Sequence, residues 1–216
     1  MNLFNTILDF IFPPHCLGCK KMGKYICISC ADSINCCIQH IETDCISVLR
    51  YRQTIIKDAI WFLKYKGKKP IGKDLAIFVY DGLLEELSEM SMMENFSEPI
   101  LIPIPISKSK YNERGYNQTE VISRELSIID GDRSFSYDPK ILLKIKDTKS
   151  QAKMKDKIHR LKNLKGCFVI KNQEKIKNRN IILLDDITTT GATFHEATSV
   201  LKKAGAKRVL CVAVAH

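Results

Sequence analysis

Thirteen residues constrain the fold of this 216-residue chain more than any others: Ile181-Ile182-Leu183-Leu184-Asp185-Asp186-Ile187-Thr188-Thr189-Thr190-Gly191-Ala192-Thr193. The four leading apolar residues fit a strand buried on both faces, as in a parallel sheet covered by helices. Such a strand carries two adjacent carboxylates to its C-terminal end, and the small-residue loop after them opens a helix. Open α/β sheets bind ligands at that edge. The backbone N–H groups of Thr189 to Thr193, with the threonine hydroxyls, form an anion-binding nest at a helix N-terminus. Two neighbouring acids beside an anion need hydroxyls or a metal-bearing ligand to face. A sugar phosphate meets both demands, with its monoester in the loop and its hydroxyls on Asp185 and Asp186.

The periodicity elsewhere agrees with strands alternating with helices, and so with an α/β chain built on a parallel sheet. Residues 44–51 read as a strand, residues 54–65 and 73–87 as helices, and the acidic, Met-rich stretch 85–98 as a helix end and loop. Strands are expected over 100–104, 141–145, 167–171, 181–184 and 209–214, and helices over 117–129 and 193–204. Trp61 and Phe62, beside Ile60 and Leu63, are expected in the core rather than on a base-stacking surface. Residues 3–12 have apolar side chains at helical spacing and stop at Pro13-Pro14, which predicts a short amphipathic helix packed on its own domain. That run is too short to span a bilayer, and Lys or Asp interrupts every other apolar run. Peripheral association is the only membrane contact this leaves open. The sequence does not set an oligomeric state.

Nine cysteines are many for such a chain, yet an odd count without a secretory leader argues against a disulfide scaffold. The simplest compartment is a reducing cytoplasm. Cys16-x-x-Cys19 and Cys27-x-x-Cys30 form two knuckles whose four thiolates suit a tetrahedral Zn²⁺. Four protein ligands leave no open position, so the ion would be structural and would supply folding energy to a segment with little core. Cys36, Cys37, Cys45, His15 and His40 lie near enough to replace one ligand. Cys167 and Cys211 fall in apolar strand patterns and read as core thiols.

The net charge is +10 and unevenly placed. Residues 1–50 are neutral, residues 81–100 carry six acids and no base, and residues 131–180 alone hold a net +10. A surface of that kind attracts phosphates, on nucleic acid or on a small substrate.

Residues 181–193 resemble the fingerprint of type I phosphoribosyltransferases for 5-phosphoribosyl-1-diphosphate (PRPP). That fingerprint is four apolar residues, two acids, two variable residues, then Thr-Thr-Gly-x-Thr. Pro103-Ile104-Pro105 and Arg114-Gly115-Tyr116-Asn117-Gln118 resemble the Pro-x-Pro and Arg-Gly-Phe-Asn-Gln elements of the ComF (ComFC/GntX-like) family, with Tyr116 in place of Phe. Thr148-x-x-Gln151 and Arg160-x-x-Asn163-x-x-x-x-Phe168 resemble its central segment. The resemblance spans essentially the whole chain. It implies a zinc-binding cysteine module over residues 1–45 and a phosphoribosyltransferase-like domain over 46–216, with a flexible basic flap at about 131–165. Asp185 and Asp186 would hold ribose hydroxyls, and Thr188, Thr189, Thr190, Gly191, Ala192 and Thr193 the 5′-phosphate. Ile106, Ser107 and Lys108 would hold pyrophosphate with its Mg²⁺, and Arg114 would neutralise it. Asn117, Gln118, Gln151 and Arg160 belong to the family pattern at the flap side. The family is associated with natural competence and DNA uptake, so single-stranded DNA and the uptake machinery are implied partners. Phosphoribosyl transfer to an unidentified acceptor is the implied activity, and a PRPP-responsive or DNA-binding factor without transferase activity is the alternative.

Overall fold

The computed structural model describes residues 13–147 and 164–216. The amphipathic segment 3–12, together with Gln151 and Arg160, lies outside the described residues. A six-stranded sheet organises the chain in the order β1-β2-β8-β7-β3-β4. These strands are β1 (Cys36–Glu42), β2 (Cys45–Leu49), β3 (Ile100–Pro103), β4 (Ser136–Tyr137), β7 (Asn180–Ile187) and β8 (Arg208–Ala215). β1 pairs antiparallel with β2, and every other neighbour in the sheet is parallel. β5 (Leu142–Lys144) and β6 (Phe168–Ile170) form a separate antiparallel pair.

Alternation along the two central strands sends side chains to opposite cores, as the two-residue period of a strand requires. Ile182, Leu184, Leu210, Val212 and Val214 join one cluster with residues of helices α2 (Thr54–Tyr65), α3 (Ile71–Glu94) and α5 (Gln118–Asp130). Ile181, Leu183, Val209, Cys211 and Ala213 join the other with helix α6 (Ala192–Lys203) and the β5–β6 pair. The sheet is therefore covered on both faces, and residues 181–184 and 209–215 of its central strands are apolar for that reason. No described helix is long and apolar enough to cross a membrane.

α2 occupies the residues that its periodicity predicts, with Ile56, Ala59, Ile60 and Leu63 buried. α3 runs seven residues beyond its expected end at 87, because Met90 continues the buried face through the acidic stretch. It stops at Asn95 in the left-handed conformation, φ 54°. The segments expected as strands at 141–145 and 167–171 do extend, but they pair with each other and not with the sheet. Trp61 departs from its expected place in the core: it is 44% exposed, with Phe62 against it edge-on and Lys66 over its ring.

A short helix, α1 (Ile28–Ala31), lies within the cysteine segment. Leu17, Ile26 and Ile34 from that segment pack into the same cluster as α2 and α3. β1, which falls inside the expected 1–45 module, is the edge strand of the main sheet, and its polar alternate positions had concealed it.

α3 and α5 meet at a glycine. A Cβ added at Gly72 would stand 2.6 Å from Val121 Cγ1, so the helices approach as closely as they do only because the side chain is missing. Gly72→Ala is expected to cost about 1–3 kcal/mol through overpacking, read as a lower melting temperature. Adding Val121→Ala should recover part of that loss.

Candidate functional site

Parallel register brings the C-terminal ends of three strands to one edge. Pro103 of β3 lies opposite Leu184 of β7, and Ile187 of β7 lies opposite Ala215 of β8. The loops leaving these ends surround a cleft of about 220 Å³ whose lining includes Asp185, Asp186, Thr193, Ile106, Arg114, Gln118, Lys64, Lys110 and Lys144. Four cations and two carboxylates thus face one small volume.

Asp186 is 3% exposed. Lys64 Nζ, from the last turn of α2, stands 2.9 Å from its Oδ1. Burial opposes the charge on Lys64, but Asp186, and to a lesser extent Asp185, hold its pKa above the ordinary lysine value. Asp186 Oδ2 is buried and has no hydrogen-bond partner. Asp185 Oδ1 accepts from the Asp186 amide at 2.8 Å and from the Thr119 hydroxyl at 3.5 Å. Its carboxyl is pushed up to about 7, first by burial and then by the neighbouring Asp186, against the pull of Lys64 and Lys144. Burial and then Lys110 lower the pKa of Lys144, despite Asp185 nearby.

The loop after the acids turns through Gly191, whose φ of 69° is the left-handed conformation that favours glycine, and α6 begins at Ala192. His195 on the first turn pairs with Glu42 of β1 at 3.0 Å. Thr193 lines the cleft. Thr188 is buried; its amide donates to Ala215 O at 3.2 Å and its carbonyl faces His216 Nδ1 at 3.1 Å, so its backbone is tied to the end of β8.

On the other side Ser107 is buried and caps helix α4 (Lys108–Arg114), accepting from the Lys110 amide. Lys108 is exposed, and Lys110, two residues further on in the same turn of α4, lines the cleft. Arg114 donates to Gln118 Oε1 and lies over the Tyr65 ring. Asn117 caps α5 through the Thr119 amide and donates to Ile104 O at 2.9 Å, fixing the end of β3 to the start of that helix. Tyr116 has a use for the hydroxyl that Phe would lack: it donates to Leu63 O and braces the last turn of α2. Lys64 and Lys110 were not foreseen as members of this site, and Lys144 was expected only as one of several flap cations able to meet pyrophosphate. Lys64 carried no signal beyond its position in an amphipathic helix, and Lys144 was one of several cations in a basic segment.

The sulfur atoms of Cys16, Cys19, Cys27 and Cys30 all lie within 4.8 Å of one another, and form the one group among the described residues with the geometry to hold a metal ion. Cys36, Cys37, Cys45 and both nearby histidines stand outside it. Cys16 is fully buried; burial opposes its ionisation, yet amides of Cys27, Cys19 and Gly18 bring its thiol down to about 6. A Cβ on Gly18 would stand 2.7 Å from Cys30 Sγ, so the glycine leaves the space in which the sulfur sits.

Residues 106–216 match the phosphoribosyl transferase domain family, and the chain belongs to that family. Competence protein F of Haemophilus influenzae is 26% identical over 198 residues, which cover 91% of this chain and 82% of that protein. Competence protein ComFC of Bacillus subtilis is 27% identical over 206 residues, covering 86% of this chain and 81% of its own. DNA utilization protein YhgH of Escherichia coli O157:H7 is 26% identical over 109 residues, half of this chain and 45% of that protein. Within the phosphoribosyltransferase superfamily these similarities place the chain in the ComF group.

Gly18→Ala should displace Cys30 Sγ and weaken metal binding by roughly tenfold or more, as displacement of a ligand's support does elsewhere. Competition against a chromophoric chelator measures this, and removal of the metal from the unsubstituted chain should lower its melting temperature.

Proposed function

We propose that the cleft binds PRPP with Mg²⁺ and that the chain is a phosphoribosyltransferase-like protein of DNA uptake, as its competence-protein relatives suggest. One observation carries this reading: two adjacent acids, one with a buried and unpartnered oxygen, stand one short loop from the N-terminus of α6. A ligand with an anionic group and vicinal hydroxyls fits both ends of that arrangement, with the phosphate on the Thr189–Thr193 amides and hydroxyls on the acids. Lys110, Arg114 and Lys144 supply positive charge for pyrophosphate, and a guanidinium such as Arg114 can meet it at two oxygens. Mg²⁺ arrives with the pyrophosphate as part of the substrate. The acids face the carbon from which pyrophosphate leaves and favour the positive charge that develops there, so the protein's contribution is positioning and electrostatics.

The cysteine module is proposed to hold a structural Zn²⁺, with four thiolates and no open coordination position. Its Gly18 lies against Ile55 in the first turn of α2, the helix whose last turn carries Lys64 to the cleft. A second reading rests on the exposed Trp61 and Tyr65 beside Lys66. Single-stranded DNA would stack on such rings and place phosphates on such cations. Its affinity should then fall steeply with salt, with a shallower slope after Lys66→Ala.

Calorimetry with PRPP and Mg²⁺ tests the main reading. Binding is expected, and the Asp185→Asn/Asp186→Asn chain should lose it; binding that survives both substitutions would refute the assignment. Release of pyrophosphate with candidate acceptors then tests transfer.

Protonation of Asp185 gives the pH dependence. Its folded pKa of about 7 lies above the ordinary carboxylate value, so the protonated form is the one that folding favours. The stability it contributes is present below the unfolded value and is lost as pH rises toward 7. Ligand binding runs the other way, because accepting a hydroxyl requires the carboxylate. PRPP affinity should fall as pH drops below 7, approaching about tenfold per unit for a single required deprotonation. At pH 8, Asp185→Asn should melt higher than the unsubstituted chain without ligand, while binding PRPP poorly.

A further inference from the structure

Asp186 and Asp130 are both nearly or fully buried aspartates, and they are built differently. Asp130 anchors a turn. Its Oδ1 accepts from Tyr80 Oη at 3.2 Å, and its Oδ2 accepts from the amides of Ser134 and Phe135 at 2.9 and 3.4 Å. Both oxygens are used, as buried carboxylates ordinarily require. Asp186 has one oxygen on Lys64 and the other buried without a partner. An unsatisfied buried oxygen carries its full desolvation cost; Ser123 Oγ and Asn180 Oδ1 are the other such atoms among the described residues, and of the three residues Asp186 alone lines the cleft. Both residues of the pair line the cleft, so the carboxylate that carries this unmet oxygen forms part of the cleft wall.

The turn that carries Lys64 is itself held. Leu63 is fully buried, and its carbonyl receives the Tyr116 hydroxyl. Tyr116 immediately precedes Asn117, the cap of α5, and Thr119 in the first turn of that helix donates to Asp185. One brace thus fixes α2 against the segment that also contacts the other acid. Lys110, Arg114 and Lys144 already supply cations to the same cleft, whereas the Lys64 ammonium is committed to Asp186.

We propose that Lys64 is the positioning residue of the site: its ammonium clamps Asp186 Oδ1 and so holds that carboxylate in place for a hydroxyl of the sugar in a sugar-phosphate ligand. This rests on the reading of the cleft as a PRPP site and adds which half of the ligand Lys64 serves. An ammonium that acts through Asp186 matters for ligands with ribose hydroxyls and is indifferent to pyrophosphate alone. A cation acting as an anion contact would show the reverse preference.

The test is calorimetry of the full chain with three probes, each with Mg²⁺: PRPP, ribose 5-phosphate and inorganic pyrophosphate. Lys64→Gln keeps a donor and removes the charge. It is expected to weaken PRPP and ribose 5-phosphate by at least about tenfold, in line with loss of one partner from a buried charge pair, while pyrophosphate affinity stays unchanged. Equal weakening of pyrophosphate would overturn the proposal in favour of a direct anion contact, and unchanged affinity for all three would overturn it outright. Where Lys64→Gln fails to fold, Lys64→Arg takes its place: its bulkier head keeps the charge but shifts Asp186, and the same split between ribose ligands and pyrophosphate is expected. An unsubstituted chain that binds no PRPP would instead refute the reading of the site on which the proposal stands.

Discussion

The ion pair between Lys64 and Asp186 is the interaction around which the cleft is arranged. A parallel strand buried on both faces ends in two acids, and two adjacent carboxylates in a poorly solvated place repel each other. One remedy is proton uptake, and Asp185 shows it in its raised pKa. The other is a counter-charge, and α2 provides it from a distant part of the sequence. The pair costs desolvation, which makes it a poor device for stability alone. It does give the edge of the sheet one acid paired with an ammonium, beside a neighbour whose pKa is pushed up to about 7.

Three further contacts depend on where α2 lies. Tyr116 braces its last turn, Arg114 lies over Tyr65, and Ile55 at its start stands near Gly18 of the cysteine loop. The cysteine segment therefore packs on the helix that carries Lys64, and its strand β1 joins the sheet and meets α6 through Glu42 and His195. The thiolate cluster and the cleft are two ends of one packed unit, joined both through a helix and through an edge strand.

Local chemistry was legible in the sequence. The acids, the Gly191 turn and the start of α6 are encoded within thirteen consecutive residues, and the four clustered cysteines within fifteen. α2 and α5 follow from a clear 3.6-residue period. What was hidden depended on neighbours in space. Lys64 looks like any lysine on an amphipathic helix until Asp186 is placed beside it. β1 was obscured because an edge strand next to solvent alternates polar residues without a strong apolar signal. Residues 142–144 and 168–170 read correctly as strands, but no local signal says that they pair with each other. Trp61 was misassigned because helical spacing fixes a face only to within a residue, and its neighbours Ile60 and Leu63 take the buried side.

The position of β8 has a consequence for how the protein is made. Residues 208–215 lie between β2 and β7, hydrogen-bonded to both, and the His216 amide bonds to Leu49 O. During synthesis β2 and β7 emerge first and have a gap between them that nothing earlier in the chain fills. The apolar residues flanking that gap stay uncovered until residues 208–215 have been made, which leaves the growing chain open to misassembly in the meantime. Loss of residues 208–215 would remove a middle strand from the sheet.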